Sequence, residues 1–257
     1  MDAPPTAELP AFRAAVLDWY ARNRRPLPFR ATSDPYAILV AETMAQQTQI
    51  GRVGDAWRRF LERFPTIRDL AGAPLPDVVR AWAGLGYNRR AVLLHRAARR
   101  IVDEHGGSVP ADLAALERLP GVGPYTGRAI AATAFGLPVG AVDTNVRRLL
   151  GRLTGTSPDE PVRGAAGRTG RAARTVGGAR AMRPPGRGGR HDRSGDSLDG
   201  RALQALADRL VPPDRAADWT HALMDLGSTV CRARPDCPAC PVRAWCASAV
   251  RRGVERP

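Results

Sequence analysis

The sequence predicts an all-α protein, and three observations predict it. Apolar residues recur at helical spacing through the first 155 residues. The periodic stretches are punctuated by Pro, Gly and capping side chains, and no stretch sustains the period-two alternation of a strand. Phe12, Val16, Trp19 and Tyr20 set the first helix. Asp34 followed by Pro35 is an N-cap with proline at the first helical position, opening a helix through about Gln49. Helices over 53–64, 76–83, 89–105 and 111–119 follow, and Gly106-Gly107 is the stop after the third of these. Helical pattern returns at 201–210 and 219–230.

Residues 158–200 break the pattern. Within 161–200 there are ten Gly and nine Arg, but only Val162, Val176, Met182 and Leu198 as larger aliphatics. Such a stretch cannot bury enough surface to offset its ordering entropy, so it reads as a disordered insertion. A locally shifted reading frame would give the same composition. The chain thus divides into a helical lobe over 9–155, the Arg/Gly segment, and C-terminal helices with a cysteine loop over 201–247. Two packed lobes, with residues near both termini sharing one, suit this layout.

Composition narrows the function. At 257 residues the chain allows one large domain or two small ones sharing a core. The N-terminus lacks a basic region followed by an apolar stretch, and no run of about eighteen apolar residues occurs, which points to a cytoplasmic chain. The formal net charge is +14, of which the Arg/Gly stretch at 161–200 supplies +6. The excess that remains favours a polyanionic partner, most simply nucleic acid, although a solvated basic surface would give the same sum. All 39 basic residues are Arg. Without a lysine amine, imine catalysis by lysine is excluded.

The four cysteines, Cys231, Cys237, Cys240 and Cys246, lie within sixteen residues. A disulfide framework would spread them along the chain, so the cluster reads as a metal or iron–sulfur site, with two disulfides as the alternative.

Leu119-Pro-Gly-Val-Gly-Pro-Tyr125-Thr126 lies between two helical segments. Gly121 and Gly123 let the backbone approach another chain and aim the next helix's free N–H groups outward, a geometry that suits phosphate. A tight helix–helix connection without a ligand is the alternative. Asp143 precedes an apolar-periodic segment and reads as a helix N-cap, which is compatible with catalysis because a capping carboxylate is held ionised and oriented. Glu42 sits in Ile38-Leu-Val-Ala-Glu42-Thr-Met44, where a carboxylate is out of place. Burial would raise its pKa and make it a proton donor at neutral pH, or it is a structural Glu satisfied by a partner.

Several motifs in order carry a resemblance. Leu119–Thr126 followed by Ala141-Val-Asp143-Thr-Asn145-Val resembles the helix-hairpin-helix DNA glycosylase superfamily. Ala41-Glu42-Thr-Met-Ala-Gln46-Gln47-Thr-Gln49 is similar to the Glu-bearing helix of MutY-type adenine DNA glycosylases. Leu27-Pro-Phe-Arg30, Trp82-Ala-Gly-Leu-Gly-Tyr87 and Met224-Asp-Leu-Gly227 resemble further stretches of that family. The resemblance covers about 9–155 and 201–247.

It implies a two-lobed helix-hairpin-helix fold and base-excision repair of double-stranded DNA in which adenine is mispaired with 8-oxoguanine or guanine. Catalytic roles fall on Glu42, Asp143 and Asn145. Arg30 would face the base with Glu42, while Gln46, Gln47, Tyr87, Gly121, Gly123, Tyr125 and Thr126 would contact substrate or DNA. The four cysteines would hold a [4Fe–4S] cluster, and the protein would act as a nucleoid-associated monomer. Tyr125 stands where the related endonuclease III enzymes carry a catalytic Lys, so the resemblance implies a monofunctional glycosylase. A thymine or other mismatch glycosylase of the same superfamily is the alternative, and a non-catalytic iron–sulfur DNA-binding protein the other.

The chain departs from the family's pattern in several places. Phe29 replaces a Trp, Asn88 a common second Tyr, and Ala45 a Leu before the glutamines. The cysteine spacing is one residue short between Cys231 and Cys237. The chain ends at Pro257, where the family commonly continues into an 8-oxoguanine-recognising domain, so weaker discrimination against plain guanine is expected.

Overall fold

Caps and turns divide the chain as the periodicity requires. The computed structural model describes residues 4–156 and 200–253, so the Arg/Gly segment expected to be disordered falls almost entirely outside the described residues. The described residues form twelve α-helices and no strand. They are α1 (Leu9–Asn23), α2 (Pro35–Ala45), α3 (Val53–Arg63), α4 (Ile67–Gly72), α5 (Leu75–Ala81) and α6 (Arg89–His105). After these come α7 (Leu113–Glu117), α8 (Pro124–Phe135), α9 (Thr144–Thr154), α10 (Gly200–Leu210), α11 (Ala216–Thr229) and α12 (Ala247–Arg251).

Side-chain caps start several of them. Asp34 accepts from the backbone N–H of Tyr36 and Ala37, and Asp112 from that of Ala115. Thr66 and Asp69 cap α4 reciprocally, a short helix the apolar periodicity did not announce. The expected helix from Pro35 through Gln49 ends instead at Ala45. Gln46 turns to φ −57°, ψ 119°, and Gln47 is left-handed at φ 53°. The carbonyls released there are taken by the guanidinium of Arg90, which satisfies the helix end from outside.

Two apolar clusters organise the packing. One gathers α2 to α6 around Phe60, Trp82, Leu94 and Ile101, with Phe60 and Trp82 edge-to-face at 5.9 Å. The other gathers α1, α9, α10 and α11 around Phe12, Val16, Leu150, Leu210 and Trp219. Trp82 and Trp219 are the largest fully buried side chains, and truncating either to Ala costs about 3–5 kcal/mol for a well-packed site. The helix α8 joins the two, packing on α2 from one side and α11 from the other.

The chain's ends meet in the second cluster. Arg13 of α1 donates to the carbonyls of Arg209, Leu210 and Val211, closing the C-terminal end of α10 at 2.8–3.0 Å. No helix among the described residues is long and apolar enough to cross a membrane.

Candidate active site

The sequence-predicted site residues Glu42, Tyr125 and Asp143 lie where the two clusters meet. Eight of the eleven residues of α2 are buried, so Glu42 projects from a helix with little polar company. Burial pushes its carboxyl up to about 7, against the pull of the Arg30 charge and of the Tyr125 hydroxyl, which lies 3.5 Å from Oε2. The negative charge of Asp143 pushes in the same direction as burial.

Asp143 has the opposite surroundings. It is the N-cap of α9, with Oδ1 accepting from the Val146 N–H at 2.6 Å and Oδ2 from the Asn145 amide at 3.0 Å. Asn145 is held in turn by Arg148, whose Nη2 donates to Oδ1 at 2.9 Å and to the Gly227 carbonyl at 2.7 Å, while its Nε reaches the Cys231 carbonyl at 2.8 Å. This close approach of α11 to the start of α9 needs Gly227, because a Cβ there would lie 2.9 Å from the Asn145 Cβ. A carboxylate pinned at two oxygens by donors cannot rotate away from what it faces.

Tyr125 lies between the two carboxylates in α8. Its hydroxyl approaches Glu42 and, at 3.9 Å, the Met224 sulfur, and burial pushes its pKa well up, so it stays a neutral phenol. The hairpin before it is a tight turn. Gly121 is left-handed at φ 82°, and a side chain there would meet Leu93 at 2.9 Å. Gly123 is extended and open, leaving the N-terminal N–H groups of α8 uncovered. Thr126 is buried, and Gln46 donates to its hydroxyl at 3.1 Å and to the Gly121 carbonyl at 3.4 Å. Gln46 thus braces the hairpin with its side chain, while Gln47 beside it is exposed, as is Tyr87, at 66%.

Arg30 makes a fork on Asp225, with Nη1 to Oδ2 at 2.6 Å and Nη2 to Oδ1 at 3.0 Å. Arg25 adds a second cation at 2.5 Å, and the Asp225 side chain is fully buried. Burial alone would raise the Asp225 carboxyl, but the two arginines override it and hold it below the usual range. His221, one turn earlier on α11, is held neutral, its pKa pushed down to about 3 by burial and by the Arg30 charge. Sequence reasoning assigned no role to Asp225, His221, Arg148 or Arg90. Only Arg148 had a local signal, three residues after Asn145 on one helix face.

The four cysteines are free thiols that line one cavity with Leu149, Arg152 and Val242. Arg152, almost fully buried, donates to the Cys231 sulfur at 3.5 Å and to the carbonyls of Arg232 and Ala233 at 2.5 and 3.1 Å. Burial pushes the Cys240 thiol up to about 12 and raises Cys237 and Cys246. Among the described residues no three potential ligands converge tightly enough for a single metal ion. Four thiols lining one cavity are a donor set that suits an iron–sulfur cluster or zinc.

Comparison with known proteins follows this geometry. Residues 40–167 match the family HhH-GPD, described as HhH-GPD superfamily base excision DNA repair protein. The human protein named adenine DNA glycosylase is 36% identical over 250 residues, 93% of this chain but 40% of its own length. The Mycobacterium tuberculosis protein of that name is 40% identical over 90% of this chain and 66% of its length. The chain therefore spans less than half of the human relative. A solved thermostable thymine-DNA glycosylase superposes with a TM-score of 0.75 at 27% identity, covering 95% of this chain and 98% of that one.

Proposed function

The chain belongs to the HhH-GPD superfamily of base excision DNA repair proteins, and from that membership we propose that it removes adenine mispaired with 8-oxoguanine or guanine in double-stranded DNA. The observation that carries the reading is the pair of carboxylates in opposed surroundings, Glu42 raised to about 7 by burial and Asp143 pinned by Val146 and Asn145.

A base inside a duplex is out of reach, so the nucleotide is flipped out at a cost of a few kcal/mol. Protonated Glu42 gives its proton to the adenine ring nitrogen N7, so that the base departs neutral. Ionised Asp143 faces the sugar and stabilises its oxocarbenium-like cation, and Asn145 keeps that carboxylate aimed. Water completes the hydrolysis, leaving free adenine and an abasic site. Opposed surroundings give two carboxyls two roles, as in glycosidases. Tyr125 has no amine to form an imine with the sugar, so strand cleavage by a lysine route is absent and the enzyme is monofunctional.

Gln47 and Tyr87 enter the base stack, while Gly121, Gly123 and Thr126 form the hairpin that meets the backbone. Arg30 acts from the floor of the base pocket, pulling on Glu42 by its charge. Cys231, Cys237, Cys240 and Cys246 would hold a [4Fe–4S] cluster. Bound there, it would cross-link the C-terminal loop and hold it beside α9. The protein acts as a monomer on DNA in the nucleoid.

The test is a base-release assay on four duplexes, carrying A opposite 8-oxoguanine, A opposite G, T opposite G, and thymine glycol. Alkali-labile abasic sites from the adenine duplexes alone support the proposal. Product from T opposite G would favour the second reading, a thymine mismatch glycosylase, which the fold match at TM-score 0.75 makes worth the arm. Tight DNA binding without any product would favour a non-catalytic role.

A further inference from the structure

One buried cation holds two exposed turns. Arg90 is the second residue of α6 and is 7% exposed. Its Nη1 donates to the carbonyls of Thr43, Met44 and Gln46, the last in a short contact, with the first two at 3.1 and 2.9 Å. Its Nη2 donates to the Thr48 hydroxyl at 3.0 Å and to the carbonyls of Leu85 and Gly86 at 3.1 and 3.0 Å. The guanidinium carbon lies 5.5 Å from the Trp82 ring centre and 5.7 Å from that of Tyr87.

These two turns carry the only non-glycine residues with positive φ among the described residues, Gln47 at 53° and Tyr87 at 47°. Both side chains are exposed. A left-handed backbone at a non-glycine residue costs about 1–3 kcal/mol and persists only where its surroundings over-determine it. Here the surroundings are one planar fork shared between the two turns. Its partners are carbonyl and hydroxyl oxygens rather than carboxylates, and Nε is buried without a partner. A buried cation satisfied in this way is a costly means of joining two loops, and an apolar side chain would fill the space more cheaply. What the apolar side chain could not do is fix both turns in one register.

We propose that Arg90 is a positioning residue that locks Gln47 and Tyr87 into a single preformed wedge, so that base extrusion by this chain depends on Arg90 through those two side chains. The inference rests on the glycosylase reading, since it needs a duplex to be opened. Lysine carries the same charge but lacks the fork, and cannot reach both turns at once.

The test compares wild type, Arg90→Lys, and the same pair in a Gln47→Ala/Tyr87→Ala background. Extrusion is read as the fluorescence rise of 2-aminopurine at the target position opposite 8-oxoguanine, with duplex affinity and thermal unfolding followed in parallel. Arg90→Lys should lower the extrusion signal about 5- to 20-fold with affinity within about 3-fold, and should add less than about 2-fold in the wedge-less background, because groups acting as one unit are not additive. Thr48→Val, which removes one of the six bonds, should lower the signal about 2-fold in the same direction while the protein stays folded. An unchanged signal in both Arg90→Lys and Thr48→Val, or equal losses in the two backgrounds, overturns the proposal. Should Arg90→Lys fail to fold, the Thr48→Val result decides alone. If wild type gives neither extrusion nor base release, it is the glycosylase reading that falls instead.

Discussion

Glu42 and Asp143 stand in opposite surroundings. Glu42 is made a weak acid by what it lacks: on a helix with eight buried residues its charged form is poorly solvated, and its pKa rises to about 7. Asp143 is governed by what it has, a helix N–H and an amide on its two oxygens, with Arg148 behind the amide. Removing solvent makes the first carboxyl hold its proton, whereas adding donors fixes the second in one orientation. The first device is sensitive to any change that admits water, the second to any change that breaks a hydrogen bond.

The sharpest way to break this comparison is at Asp143. Asp143→Asn keeps an N-cap but removes the charge, and base release should fall by about 1000-fold or more while duplex binding persists. Single-turnover release and a binding isotherm on the same mispair measure the two separately. Normal turnover in this variant would remove Asp143 from the mechanism.

Glu42→Gln should cost about 100- to 1000-fold, as expected for loss of a positioned general acid. The wild-type rate should also decline above pH 7, because the acid works only while protonated, and the variant's residual rate should lose that limb. The pocket has a thermodynamic signature as well. Unfolded, this carboxyl ionises near its ordinary 4.5, whereas folded it keeps the proton to about 7. Between those values the unfolded chain has released a proton that the folded chain retains, so stability falls as pH rises through the window and remains lower above it. Replacing the carboxyl with an amide should therefore stabilise the fold at pH 8 by about 1–3 kcal/mol and leave it nearly unchanged at pH 4, as denaturant midpoints would show.

The smallest expected effect is at Tyr125. Its hydroxyl lies 3.5 Å from Glu42 and favours the ionised form. Tyr125→Phe should move the alkaline limb of the rate profile upward by about 0.3 pH unit, a weak shift because the contact is long. A downward shift would mean that the phenol accepts from the protonated carboxyl instead of donating to the ionised one.

The helical class was legible because Phe12, Val16 and Tyr20, or Asp34-Pro35, announce themselves locally. Bounds failed where a distant group intervened: nothing near Gln46 says that Arg90 will take the carbonyls of α2. The misplaced carboxylate at Glu42 and the cap at Asp143 could be read as oddities of the chain itself. Asp225 could not, since its partners Arg25 and Arg30 lie about 200 residues away and pairing across that distance leaves no periodic trace. Gln46 shows the same limit, as nothing in its run of glutamines announces that its amide braces the hairpin at Thr126.

The grip of Arg13 on the end of α10 also has a consequence for synthesis. The helix α1 is made before α10 and α11 and must wait for residues near 210 before its apolar face finds cover. At about 5–20 residues per second that delay is on the order of ten to forty seconds, during which Phe12, Val16 and Tyr20 stay open to other partners. The cluster around Trp82 is complete much earlier in translation. A nascent chain stalled near residue 150 would therefore display one finished half beside the uncovered apolar faces of α1 and α9.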